Sequence, residues 1–414
     1  MRRRDFIRLS SLAAGVGILR VGARAWAVQN QRESKQRLVV IFLRGAADGL
    51  NIVIPYTEAA YYAMRPTIAI PRPGQQGGAS DLDGRFGLHP QLAPTLIPLW
   101  KEKSLAFVHA SGSPDASRSH FDAQAYMESG TPGVRTTPDG WLNRVLANLP
   151  APHPPTEAVN FGATMPRILR GTMPVASIAA GKGSHPGPIA IDRPAVHAAF
   201  DQMYSGTDSL SVAYQQGQSA HAKFMMELEQ DMMEAAGDAP SPKGFAEDVA
   251  HFCQLARRDP TIEIGFFALS GWDTHVRQGS VEGLLAQHLN QLGQGLAGFR
   301  SGLGGQYDNA VIIVMSEFGR TAHENGNNGT DHGHGNVMWL LGGAVNGGKV
   351  YGNWPGIDED QLHEQRDLAV TTDFRTVIAS VLKDHLHLSP TAIESIFHGT
   401  AYSGTGSNLG LLRA

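Results

Sequence analysis

The sequence predicts an α/β protein, a three-layer α/β/α sandwich around a mostly parallel central sheet. Three observations carry that expectation. Five short apolar runs, at residues 38–43, 105–108, 262–269, 310–315 and 337–341, are nearly continuous in hydrophobicity, as strands covered on both faces are. Amphipathic stretches separate them at 92–103, 121–129, 245–257, 281–299 and 373–385, and strands alternating with helices favour parallel pairing. Hydrophobic residues make up 42% of the 414, enough for a large core, and charged residues only 17%, too few for a disordered or coiled-coil chain. No fixed-period repeat suggests a solenoid.

In chain order, residues 1–27 read as an address, not as fold. Arg3-Arg4-Asp5-Phe6-Ile7-Arg8 is similar to a twin-arginine export signal, and Ala25-Trp26-Ala27 offers a small-x-small cleavage site. The apolar stretch from Leu9 to Leu19 is too short and glycine-rich to cross a bilayer, so no permanent membrane span is expected. Without the signal the chain carries 28 basic and 37 acidic side chains, a net −9, which leaves no electrostatic case for nucleic acid. The expected location is periplasmic or secreted in a bacterium, with the twin-arginine translocase as partner during export. Residues 28–414 then form a single domain.

In such sheets ligands gather beyond the carboxyl ends of strands, so the polar residues that follow each strand are the candidates. After 38–43 comes Arg44-Gly45-Ala46-Ala47-Asp48-Gly49, where Asp48 is either a turn residue or a carboxylate placed for a cation. After 105–108, Ser117-Arg118-Ser119-His120-Phe121 leads into a helix starting near Ser119. A serine there is an N-cap or, beside an arginine and a histidine at a positive helix end, a nucleophile next to an anion-holding pair.

Residues 131–243 read as a cap or insertion over the sheet edge. They open with proline and glycine turns, pass a basic strip at 167–187, and end in a Met- and Glu-rich helix around 221–236. Met225, Met226, Met232 and Met233 read as helix packing. Helix 245–257 carries the single cysteine, Cys253, which reads as a buried inert thiol and excludes an internal disulfide. After 262–269, Asp273 and His275 lie two apart in extended backbone, so both side chains point the same way and suit one metal. After 310–315 come Glu317 and Arg320, and then Asp331-His332-Gly333-His334, three donors in four positions with a glycine that lets the backbone fold round an ion. Imidazole nitrogen with carboxylate oxygen suits zinc, manganese or iron better than calcium. His89 reads as packing, and His385 and His387 as helix-end residues favoured by the dipole.

Four motifs together, Leu43-Arg44-Gly45-Ala46-Ala47-Asp48-Gly49-Leu50-Asn51, Ser117-Arg118-Ser119-His120-Phe121-Asp122-Ala123-Gln124, Ser316-Glu317-Phe318-Gly319-Arg320-Thr321 and Asp331-His332-Gly333-His334-Gly335-Asn336, resemble the secreted twin-arginine family called domain of unknown function 1501. The likeness spans essentially the whole chain after the signal. It implies an alkaline phosphatase-like and sulfatase-like fold with a metal site at the strand ends, met in the order Asp48, helix-start hydroxyl, Asp273/His275, Asp331-His332. The middle pair departs from that superfamily's frequent Asp-x-x-x-His spacing. Matching Ser119-His120 to the Gly-His of the phosphomutase branch puts the nucleophile position on Ala116, with Ser117 the nearest hydroxyl and Ser119 the next. Glu317 falls where relatives carry Asp-His, so Asp331-His332 either take that role or supply later ligands from an inserted loop.

The expected function is an exported metal-dependent hydrolase of phosphate or sulfate esters acting on a small anionic ester. Asp48, Asp273, His275, Glu317, Asp331, His332 and His334 would hold one or two divalent ions, zinc or manganese. Ser117, Ser119 or a water would attack, while Arg118 and His120 hold the non-bridging oxygens, with Arg44 or Arg320 in support. The alternatives are a non-catalytic extracytoplasmic binding or assembly protein on a hydrolase scaffold, and a transferase using the same site.

Overall fold

A computed structural model describes residues 35–178, 236, 239–399 and 409–413. The export segment, the methionines 225, 226, 232 and 233, residues 179–187 of the basic strip and, but for Ala236, the helix expected around 221–236 lie outside the described residues. Along the chain come β1 (Arg37–Leu43), the short strands β2 (Val53–Ile54), β3 (Ser80–Asp81) and β4 (Gly87–Leu88), then β5 (Leu105–Gly112), β6 (Ala158–Phe161) and β7 (Ala176–Ile178). They are followed by β8 (Ile264–Leu269), β9 (Ala310–Ser316), β10 (Asn336–Leu341), β11 (Lys349–Tyr351) and β12 (Thr372–Asp373). The main sheet runs β11-β5-β10-β9-β1-β8-β6-β7 with β12 beside β5, and β2, β4 and β3 make a small separate sheet.

Every pairing in the main sheet is parallel except those of β10, which runs antiparallel to both β5 and β9. A parallel return needs a crossover, usually a helix. The segment between β9 and β10 contains no helix, so the chain turns back antiparallel and leaves a long loop at the strand ends.

Alternation along each strand feeds two cores. Val39, Ile41 and Leu43 of β1 pack with Ile312 and Val314 of β9 under the helices Ala93–Lys101, Phe245–Arg258 and Leu284–Leu303. Leu38, Val40 and Phe42 pack with Val311, Ile313 and Met315 under Trp141–Asn148, Phe374–Asp384 and Pro390–Ile396. This is the period of two applied to a sheet buried on both sides, and it confirms the three layers. Cys253 is buried on the first face, where burial pushes its thiol up to about 12, so it stays protonated and inert.

Close packing at the carboxyl ends of β1, β8 and β9 positions the site. Gly45 has φ +112, and a Cβ there would lie 2.6 Å from the backbone nitrogen of Asp273. Only glycine lets the β1 loop and the β8 loop touch in this way. The helix His120–Ser129 starts at an N-cap, Ser119, whose hydroxyl accepts from the Asp122 amide. His120 is thereby fixed in the first turn, facing the loops.

Candidate metal centre

Four side chains from three loops converge. His120 comes from the helix start, Asp273 and His275 from the loop after β8, and His332 from a segment bridged antiparallel to Arg320. Among the described residues, His120, Asp273 and His332 offer ligand atoms that all lie within 4.8 Å of one another. His332 Nε2 stands 2.9 Å from Nε2 of His120 and 2.9 Å from Nε2 of His275. Asp273 Oδ1 is 3.0 Å from His275 Nε2 and 3.5 Å from His332 Nε2, and Oδ2 is 3.7 Å from His120 Nε2.

The second nitrogen of each ring is already committed. Nδ1 of His120 donates to Glu317 Oε1 at 2.7 Å, Nδ1 of His275 to Asp331 Oδ1 at 3.1 Å, and Nδ1 of His332 to the Arg118 carbonyl at 2.9 Å. Carboxylates and carbonyls only accept, so each neutral ring keeps its proton on Nδ1 and turns a bare Nε2 lone pair inward. Three lone pairs this close repel unless a cation or added protons lie among them. Asp273 Oδ2, buried and without a hydrogen-bond partner, adds an uncompensated negative oxygen at the same place. The residues therefore fit a divalent cation, and the mixed nitrogen and oxygen donors suit a transition metal.

Electrostatics agree. Burial disfavours the Asp273 anion, but the Arg320 guanidinium and the three imidazoles hold its carboxyl well below the usual carboxylate range. Burial disfavours charge on His120 as well, yet Asp273 and Glu317 push its ring up to about 9. His275 is raised against burial by Asp273 and Asp331, whereas burial, with His120 and Arg320 nearby, lowers His332. Burial opposes the Glu317 anion, but bonds from His120 and Gln124 bring it down to about 2.

The residues expected at the site fall into three groups. His120 joins Asp273, His275 and His332, although the motif reading placed it on substrate oxygens. Glu317 and Asp331 act one bond further out, Glu317 also accepting from the Gly45 amide at 2.8 Å and Gln124 at 2.9 Å, and Asp331 from Asn325 at 3.0 Å. Asp48 and His334 stand apart. Asp48 is fully buried in an ion pair with Arg65 at 2.6 Å and accepts from Gln278 at 2.7 Å, while the His334 ring lies 4.7 Å from His363. Of the two hydroxyls, Ser119 is spent on the helix cap and Ser117 accepts from the Ser119 amide at 3.3 Å.

The arginines are also engaged. Arg118 pairs with Glu364 at 2.6 Å and Asp367 at 2.7 Å, and Arg44 with Glu128 and Gln124. Arg320 is buried, bonds Asp273, and donates to the carbonyls of Gly45 and Ala46 at 2.7 Å, Thr330 at 3.0 Å and Trp272 at 3.2 Å. It is the tie between the strand-end loops. Its motif signal was present, but nothing in the sequence showed that carbonyls would saturate it.

The family described as "Protein of unknown function (DUF1501)" matches residues 35–397. No curated protein matches the chain. Among solved structures, the chain is similar to Ps i-CgsB in complex with k-i-k-neocarrahexaose, at 10% identity and a TM-score of 0.42, covering 91% of this chain and 75% of that one. It is similar to a 2-O GAG sulfatase at 12% identity and a TM-score of 0.40, covering 86% and 71%. It is also similar to the lipoteichoic acid synthase LtaP from Listeria monocytogenes at 9% identity and a TM-score of 0.33, covering 75% and 66%. Among the described residues, no helix is long and apolar enough to cross a membrane.

Proposed function

We propose that this chain, which belongs to the DUF1501 family, is an exported metal-dependent hydrolase of phosphate or sulfate esters. The observation that carries the reading is the buried meeting of three inward Nε2 atoms with the orphaned Asp273 oxygen. A divalent cation held by His120, Asp273, His275 and His332, zinc or manganese by donor type, supplies Lewis-acid stabilisation of charge on the transferred group. The chain does the positioning. Arg320 keeps Asp273 ionised, and Glu317, Asp331 and the Arg118 carbonyl keep the rings aimed and their tautomers fixed. A water, or the half-buried Ser117 in the turn before His120, is the nucleophile. The twin-arginine pattern at Arg3-Arg4 supports a periplasmic or secreted location.

The test is metal analysis of the exported full-length protein, with turnover of aryl phosphates and aryl sulfates in added zinc or manganese. Asp273→Ala and His332→Ala are expected to lose the metal and to lower turnover by roughly 100-fold or more, as loss of a ligand does beyond the effect of its orienting partner. Protein without metal, and silent towards both ester classes at every metal added, would overturn the reading.

A non-catalytic extracytoplasmic binding or assembly protein is favoured by one observation: Arg44, Arg118 and Arg320 are all engaged by protein groups. That reading predicts bound metal, no ester turnover, and an unchanged cellular phenotype for Ser117→Ala.

A further inference from the structure

We propose that a cavity beside the helix His120–Ser129 binds the non-reacting part of the substrate, a sugar-sized body bearing a second anionic group such as a carboxylate, phosphate or sulfate. Its assignment to the substrate rests on the ester-hydrolase reading; its ligand chemistry rests on the cavity itself. The volume is about 380 Å³, within the range of small-molecule sites. One wall is a stripe of the helix, Phe121, Gln124, Ala125 and Glu128, spaced three, four and seven apart as residues on one helical face are.

Charge in the cavity is one-sided. Among the described residues, Arg44, Arg167 and Arg170 line it against a single acid, Glu128. Glu128 is already satisfied, since one oxygen pairs with Arg44 and the other accepts from the Ile168 amide at 3.0 Å. Arg44 is only 8% exposed, and its Nε is buried without a hydrogen-bond partner. An unpaired donor of that kind is costly unless something fills the site. Arg167 is steadied by the Thr137 carbonyl at 3.1 Å and Arg170 by the Met165 carbonyl at 3.1 Å. Among the described residues those are their side-chain hydrogen bonds, so both keep donors for an anion, which arginine grips through paired N–H bonds. Phe121, 73% exposed, offers an apolar face that a ring-shaped ligand would cover.

The cavity begins one side chain from the metal centre. Gln124 lines it, accepts from Arg44, and donates at 2.9 Å to Glu317, the same carboxylate that holds His120. A substrate whose reacting ester sits at the centre would thus extend along Phe121 towards the arginines, and binding energy gained there would orient the ester.

The experiment is calorimetry on the full-length protein stripped of metal by a chelator, which removes the centre as a competing anion site. The probes are glucuronate, glucose 6-phosphate and glucose 6-sulfate, against glucose. At least one anion is expected to bind at least tenfold tighter than glucose. Arg167→Gln with Arg170→Gln is expected to erase that preference while leaving metal content and Tm at parental values, and Phe121→Ala to weaken all sugars together. Anions binding no better than glucose, or a preference untouched by the double substitution, would overturn the proposal. Because no turnover is read, a silent ester panel with intact anion binding would sink the hydrolase reading alone. An active panel without anion binding would sink only this one.

Discussion

A carboxylate beside an imidazole either ligates a cation or holds the ring that does, and the bonds each oxygen already makes decide between them. Glu317 Oε1 accepts from three donors and Oε2 from the Ser316 hydroxyl at 3.0 Å, so Glu317 orients. Asp273 Oδ2 has no partner and lies with His120 and His332, so of these two carboxylates Asp273 is the one that could ligate. Sequence supplied the residue types for both roles but could not separate them, because partners such as Gln124 lie almost two hundred positions away in the chain. The ion pair of Asp48 with Arg65 was equally hidden, since Arg65 shows no motif. The arrangement predicts a proton–metal competition. With its ring raised to about 9, His120 carries a proton at pH 7 that an entering cation must displace. Metal affinity should therefore rise with pH by up to about tenfold per unit from pH 7 towards 9 and level off above it. Calorimetric titration in buffers of different ionisation enthalpy should show proton release on binding. An affinity flat over that range would remove His120 from the ligand set.

The five apolar runs gave strands close to their observed bounds, and the five amphipathic stretches gave helices, because burial and period are local properties of the chain. Direction is not local. The reversed run of β10 depends on the absence of a crossover helix after β9, and β6 and β7 are too short to stand out from their surroundings. What binds the strand ends together is Arg320, whose guanidinium reaches carbonyls in the loops after β1 and β8, the Thr330 carbonyl, and Asp273. Lysine keeps the charge but not the planar fork, so Arg320→Lys leaves several buried carbonyls unmatched. Each buried carbonyl left without its donor costs about 1–3 kcal/mol. Arg320→Lys should accordingly lower stability in urea unfolding by about that amount or more and weaken metal binding with it. A variant with parental stability and only a raised KM would mean that Arg320 serves the substrate instead.

Buried imidazoles away from the centre set how the whole molecule answers acid. His89, His109 and His385 are almost fully buried, and burial lowers each ring to about 4. Each also lies within hydrogen-bond distance of a carbonyl, Ser280 at 3.1 Å, Val53 at 2.9 Å and Arg37 at 3.0 Å. His385 is thus a neutral core residue, not the dipole-stabilised cation that a helix end suggested. An unfolded histidine titrates near 6.5, so between about 6.5 and 4 the unfolded chain binds protons that the folded chain refuses. Stability then falls as pH drops through that window, by about 1.4 kcal/mol per pH unit for each such ring. The anions of Glu317 and Asp331, held down to about 2, lose their stabilising effect only below the usual carboxylate range near 4, so their contribution lies at lower pH. The raised ring of His120 titrates above 6.5, and its contribution is already complete when the window opens. His288 and His334 are lowered to about 4 by burial as well, so urea unfolding at half-unit steps from pH 7 to 4.5 should show a slope approaching about 7 kcal/mol per unit in the middle of the range. His109→Gln, which can still donate to the Val53 carbonyl, should reduce that slope by about 1.4 kcal/mol per unit, because one of the linked protons is gone. A flat profile in the parent, or an unchanged slope in His109→Gln, would mean that these rings accept protons in the folded state, and that the core around them is wetter than its packing implies.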